Sequence, residues 1–264
     1  MYTRPSSPQS IGGVLDDAVR LYRESFLKTL PLCIAASVAI SLPAMLLPRT
    51  PYQPGLQSLQ AMMLVASSPT YWLIYLVGLL AYAVIYAALI VIVNDVGSGR
   101  QANLPAALRV GLERLPSVIG AFILIGLMVG AGLMLLIIPG IYLWGIFQLT
   151  GFPLVLDRER VGASLGQSRR LVKGHWWRAT TIVTVVIIMA VVLEMILTFL
   201  AGLLVGIFHW QAQGVMHLIQ VFNILANALV LTLPLAGGLA LYHDLKLRNQ
   251  GDDLAARVEA LAAH

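Results

Sequence analysis

Long apolar runs alternate along this chain with short polar segments, and the runs are longer than the core helices of a soluble domain require. A bilayer crossing takes about 17 to 25 predominantly apolar residues. Candidate spans run from Thr29 to Leu47, Tyr71 to Val93, Val118 to Ile138, Ile141 to Leu156, Ala179 to Phe208 and Val215 to Tyr242. The fourth is short and follows the break "IIPG", where Pro139 and Gly140 pair a helix stop with a residue suited to the first turn of the next helix. The fifth and sixth exceed the hydrocarbon thickness and are expected to tilt or to project beyond it.

The polar segments have a helical period of their own. In Ser10 to Lys28, the residues Ile11, Val14, Leu15, Ala18, Leu21, Tyr22 and Leu27 recur near i, i+3 and i+4, with Asp16, Asp17, Arg20 and Arg23 between them. Ser10 stands where an N-cap belongs. The stretches "NLPAALRVGLERLP" and "VGASLGQSRRLVKGHWWR" read the same way, and each also precedes a span. At one constant offset, Leu15, Ala18, Arg20 and Leu21 match Leu165, Ser168, Arg170 and Leu171. The pattern predicts an all-α polytopic bundle of six transmembrane helices with three cytoplasmic amphipathic helices, built as a threefold repeat of amphipathic helix plus hairpin. Residues 1–248 form a single membrane domain in this reading, and 249–264 form a short cytoplasmic tail.

Composition agrees: 59% of residues are hydrophobic and 11% charged, and mean hydropathy is +0.84. Of the 17 Lys and Arg residues, four precede the first span, three lie in Asn94 to Pro116, six in Asp157 to Arg178 and three follow the last span. Only Arg49 falls outside that set. Six crossings with both termini inside satisfy the positive-inside bias, and a fourth segment that failed to cross would put the Asp157 to Arg178 group on the wrong side. The basic pI of 9.6 is thereby explained by topology and not by nucleic-acid binding. Asp16, Asp17 and Glu24 precede the first run without a small-x-small cleavage site, so that span is expected to be permanent.

Little here looks catalytic. Motifs for a zinc hydrolase, a phosphate loop or a nucleophile elbow are absent, the histidines have no ligand spacing and Cys33 has no partner, so neither enzyme activity nor a metal or other cofactor is expected. Four features remain. Gly126 with Gly130, and Gly202 with Gly206, are small-xxx-small pairs suited to helix packing. Basic residues Arg158, Arg160, Arg169, Arg170, Lys173 and Arg178, with Trp176 and Trp177, form a segment suited to anionic lipid or to a partner protein, apolar face down on the bilayer. His217, Gln220, Asn223 and Asn227 share one face of the last span. Glu194 is the single acid in the fifth span and lies at about the depth of Asn227 at 1.5 Å per residue. It either donates, protonated, to Asn223 or Asn227 and locks the hairpin, or lines a cavity and exchanges a proton during transport.

Three stretches carry a resemblance: "IGGVLDDAVRLYRESF", "IIPGIYLWGIFQLTGFPLVLDRERVGASLGQSRRLVKGHWWR" and "LYHDLKLRNQGDD". The chain resembles the glycerophosphoryl diester phosphodiesterase membrane domain, most specifically at Pro139 and Gly140, at Ser168 to Trp177, and at Tyr242, Asp244 and Leu245. Asn249 and Gln250 stand where that family's terminal motif has an acid. The resemblance implies a bacterial inner-membrane anchor-type module, without the catalytic barrel and without phosphodiesterase activity. The function expected is a non-enzymatic module that organises anionic lipid or docks a membrane partner or a second copy; the alternative is a small transporter or channel using Glu194 and the polar stripe.

Overall fold

A computed structural model describes residues 4–46, 63–207 and 212–262. Every element among them longer than one turn is an α-helix: α1 (Ile11–Leu46), α2 (Pro69–Gly97), α3 (Leu104–Leu135), α4 (Ile137–Phe147), α5 (Gly151–Leu156), α6 (Val161–Val172), α7 (Trp176–Ile207), α8 (Ala212–Val230) and α9 (Thr232–Ala262). Among the described residues six stretches are long and apolar enough to cross a membrane: Ile11–Pro43, Pro69–Gly97, Leu104–Leu135, Ile137–Leu156, Trp176–Leu204 and Leu218–Gly251. The chain is an all-α polytopic bundle.

The amphipathic segments differ from expectation. Only the third is a separate helix; the first two are continuous with the spans that follow them. Ser10 caps α1, its hydroxyl accepting from the Gly13 N–H at 3.1 Å, and α1 then runs 36 residues without a stop. At 1.5 Å per residue that is a rod of about 54 Å, against about 30 Å of hydrocarbon. In α3, Pro116 removes one backbone bond but does not end the helix. The third junction alone has a true stop: Gly174 at φ +82°, a left-handed turn between α6 and α7 that suits a residue without Cβ.

Two other boundaries move. The break before the fourth span falls at extended Leu136, so Pro139 and Gly140 sit inside the first turn of α4, where a missing N–H costs nothing. The sixth span is interrupted at Leu231 between α8 and α9, with Pro234 in the first turn of α9. Both sides of that break find partners on α1: Tyr22 donates to the Leu229 carbonyl at 2.8 Å, and Thr29 meets Thr232, at the start of α9, at 2.8 Å beside Cys33. The tail expected after residue 248 is a helical continuation of α9 through Ala262.

At the centre stands the Leu218–Gly251 span, 72% buried over its most apolar window, with α1, α2 and α7 around it. The α3 and α7 spans are peripheral, 17% buried each, and turn Leu127, Met134, Ile196 and Phe199 outward as lipid-facing residues should be. The core joins Leu21, Cys33, Leu89, Ile92, Leu154, Ile182, Leu239 and Tyr242. The internal repeat is visible in burial: Ala18 and Leu21 are buried with Arg20 exposed, as Ser168 and Leu171 are with Arg170 exposed.

Close helix approach uses other glycines than the motif predicts. A Cβ on Gly78 would run into the Ala39 carbonyl of α1, and one on Gly111 into the Val84 carbonyl of α2. Around Gly126, Gly130, Gly202 and Gly206 a Cβ would meet nothing within 4 Å, so among the described residues no helix of the chain packs against these four. Gly78→Ala is expected to cost about 1–3 kcal/mol by overpacking against rigid backbone, whereas Gly126→Ala and Gly202→Ala leave stability unchanged or slightly higher. Thermal unfolding in one detergent, followed by circular dichroism, reads the contrast; equal melting of all three variants would refute the assignment of Gly78 as the close contact.

Candidate functional site at the basic end of the bundle

Asp244 is where the basic end is tied together. It lies one turn beyond the apolar part of α9, with its side chain only 3% exposed. Arg178, at the start of α7, donates to its Oδ2 from Nε at 3.2 Å and from the terminal nitrogen at 3.0 Å, and Arg248, one turn further along α9, donates from Nε at 3.0 Å. The Gln9 backbone N–H donates to the other oxygen at 2.8 Å. Both guanidiniums then donate to the Gln9 carbonyl, each at 2.6 Å. A carboxylate this buried is tolerable only when opposite charge and donors fill its lone pairs, and here two cations and one amide do so. The cluster keeps one net positive charge.

A second polar contact lies beside it. Asp157, after α5, accepts from the Tyr242 hydroxyl at 2.6 Å and from Lys246 at 3.4 Å. Burial raises the Asp157 pKa, but the Tyr242 hydrogen bond and the Lys246 charge outweigh that effect and hold the carboxyl below its ordinary value. Tyr242 stacks on Phe152 with ring centroids 5.6 Å apart, which fixes its hydroxyl toward Asp157.

The expected docking segment divides in two. Arg160, Arg169, Arg170 and Lys173 are exposed, Arg158 is exposed 3.8 Å from Glu113, and Trp177 is 79% exposed. Arg178 belongs to the Asp244 cluster and is not part of an open face. Trp176 is half-buried, donating to the Tyr142 carbonyl at 3.2 Å. The apolar face of α6 does not lie on a bilayer: Ser164, Ser168, Leu171 and Val172 are buried against the bundle, and Ser168 donates to the Ile146 carbonyl at 2.6 Å. Only the basic face is left outward.

The intramembrane stripe is not one cluster. Asn227 accepts from Ser37 of α1 at 2.9 Å, and Asn223 faces Thr198 at 3.5 Å, the limit of a hydrogen bond. Gln220 is half-buried, and the side chain of His217 lies outside the described residues. Among the described residues Glu194 makes no hydrogen bond to Asn223 or Asn227; it is half-buried in an apolar cleft of about 480 Å³ with Val191, Met195, Thr198 and Phe199. Equal depth put Glu194 and Asn227 at one level, but α8 turns Asn227 toward α1, which depth alone does not reveal. Among the described residues no group of three His, Cys, Asp or Glu side chains could hold a metal ion.

Asp244, Arg248, Asp157, Tyr242 and Gln9 are the polar residues that sequence reasoning left out as a site. Asp244 and Arg248 at i, i+4 were a readable signal; the partners 66 and 235 residues away were not. Set against known protein families, curated proteins and solved structures, the chain matches none. Asp244→Asn is expected to lower stability by about 1–3 kcal/mol, less than the roughly 3–5 kcal/mol of a fully buried broken pair because both arginines retain some solvent. The Arg178→Met, Asp244→Leu double variant removes both unlike charges and should recover part of the loss; additivity of the two single losses in chemical unfolding would show that the contact carries no coupling.

Proposed function

We propose that this chain is a non-enzymatic membrane module whose basic end gathers anionic lipid. What supports the reading is the outward row Arg160, Arg169, Arg170 and Lys173 beside exposed Trp177, on a helix whose other face is occupied by the bundle. Lys and Arg close to an anionic surface contribute about 1 kcal/mol each, and tryptophan favours the headgroup level. The positive-inside bias places this end, with both termini, in the cytoplasm, and the resemblance to the glycerophosphoryl diester phosphodiesterase membrane domain favours a bacterial inner membrane. A partner protein or second copy with an acidic face would use the same row. The Arg169→Gln, Arg170→Gln, Lys173→Gln variant is expected to bind phosphatidylglycerol vesicles at least tenfold more weakly at low salt, with the wild-type advantage shrinking as salt rises. Unchanged vesicle binding by a folded variant would refute the reading.

A second reading is favoured by Glu194, an acid in an apolar cleft without a partner among the described residues. In it the carboxyl carries a proton or binds a cationic solute during transport. Proteoliposomes should then show a pH-driven flux that Glu194→Gln abolishes; no flux above empty liposomes, or equal flux from the variant, removes this reading.

A further inference from the structure

Between Arg114 and Asp157 the chain has no Asp, Glu, Lys or Arg, and α3 and α4 meet there in an apolar hairpin. At its tip Met134, Leu135, Leu136, Ile137 and Ile138 are 69–92% exposed. Length and composition let Leu104–Leu135 and Ile137–Leu156 cross a membrane. Their neighbours hold them elsewhere. Ser168 donates to the Ile146 carbonyl at 2.6 Å and Trp176 to the Tyr142 carbonyl at 3.2 Å, so α4 runs antiparallel beside α6 with its tip end at the α6–α7 junction. Exposed Arg160 stands at the start of α6 and exposed Lys173 at its end, about 20 Å apart. Cations at both ends keep the whole of α6 out of the hydrocarbon. α4 shares its level.

Trp176 lies between Lys173 and Arg178 in sequence, and its ring has Tyr142 at 5.6 Å and Trp177 at 4.8 Å, an aromatic cluster of the kind that sits at headgroup level. From Tyr142 to Leu136 is about 9 Å of helix, against about 30 Å of hydrocarbon. The tip therefore cannot reach the far side. α3 is tied at the same level, with Glu113 3.8 Å from Arg158 and Gly120 facing Val161 at the start of α6. A Cβ on Gly132 would come within 3.0 Å of the Gly140 backbone, so the two helices are pressed together near the tip.

We infer that the α3–α4 hairpin does not cross the membrane but lies in its cytoplasmic leaflet, with α6 on the aqueous side and the Met134 to Ile138 tip among acyl chains. Exposed Arg169, Arg170, Lys173 and Trp177 continue the same surface and mark the headgroup layer beside it. Charge placement is unaffected: Asn103 and Asp157, where the hairpin segment begins and ends, stand on the basic side with four crossings as with six. Apolar helix added to one leaflet only is a wedge, the arrangement by which interfacial helices respond to curvature and lipid composition. The hairpin depends on where α6 lies and not on its affinity for anionic lipid, so it stands even where the lipid-gathering proposal falls.

The test is a depth profile of the full chain in nanodiscs of phosphatidylglycerol and phosphatidylcholine. In a Cys33→Ser background, or Cys33→Ala if the serine variant melts early, single spin labels are attached to Ile123→Cys, Leu127→Cys, Met134→Cys and Leu136→Cys, all at exposed positions. Ile188→Cys, Val192→Cys and Ile196→Cys on α7 give a crossing helix for reference. Depth is read from the balance of collisions with oxygen and with a water-soluble nickel chelate. The α7 labels should change depth steadily along the helix, whereas the four hairpin labels should share one depth, about 5–10 Å below the phosphates. A profile that reaches the bilayer centre near Leu127 and becomes shallow again at Leu136 shows a crossing hairpin and overturns the inference. So does labelling of Leu136→Cys in intact cells by an impermeant thiol reagent. Full nickel access at the tip would place it in water, and disulfide-linked dimers of Met134→Cys in native membranes would identify a second copy as its neighbour; either result also overturns it.

Discussion

A buried carboxylate must be surrounded by donors or it does not stay ionised and buried, and Asp244 imposes that constraint on the whole basic end of the bundle. Its partners come from three places in the chain: the arm before α1, the first turn of α7 and the next turn of α9. Satisfying one side chain therefore fixes the relative positions of three segments that apolar packing alone would let slide. Packing inside a bilayer is weakly directional because lipid tails are as apolar as leucine. Charge supplies the register.

The same constraint explains why the two outward basic surfaces differ in character. Around α6 the apolar residues are consumed by the bundle, and the basic residues face out with little acid nearby. Beside Tyr242, cations are matched by carboxylates, Arg100 by Asp95 and Lys246 by Asp157. The first arrangement leaves its cations outward; the second ties them to acids of the same chain. Arg178 shows how sequence proximity misleads here, since it is adjacent to Trp177 yet serves the interior ion cluster.

Architecture was readable because the signals for it are local and repeated. Hydrophobic run length located six candidate spans, and the Leu, small, Arg, Leu pattern marked two related helices whose burial matches at those positions. Side-chain partnerships were not readable, because they depend on helix rotation and on contacts far apart in the chain. Asn227 was correctly seen as needing a polar neighbour, but that neighbour is Ser37, 190 residues away. The glycine pairs show a related limit: spacing shows that two small residues share a helix face, and among the described residues no other helix of the chain lies against it.

Where an amphipathic segment meets its span, only the junction between α6 and α7 is made by a left-handed glycine, while α1 and α3 continue through theirs as helix, with Pro31 and Pro116 inside. The repeats are thus mechanically unequal. A helix with no loop in it acts as a lever: a 10° change of tilt over the roughly 30 Å between Pro31 and the start of α1 swings that start by about 5 Å. Thickening or thinning of the surrounding bilayer, which helices accommodate by tilting, is transmitted along α1 to the arm that precedes its first turn. At Gly174 the same motion can be absorbed as rotation of one backbone bond, leaving α6 where it was.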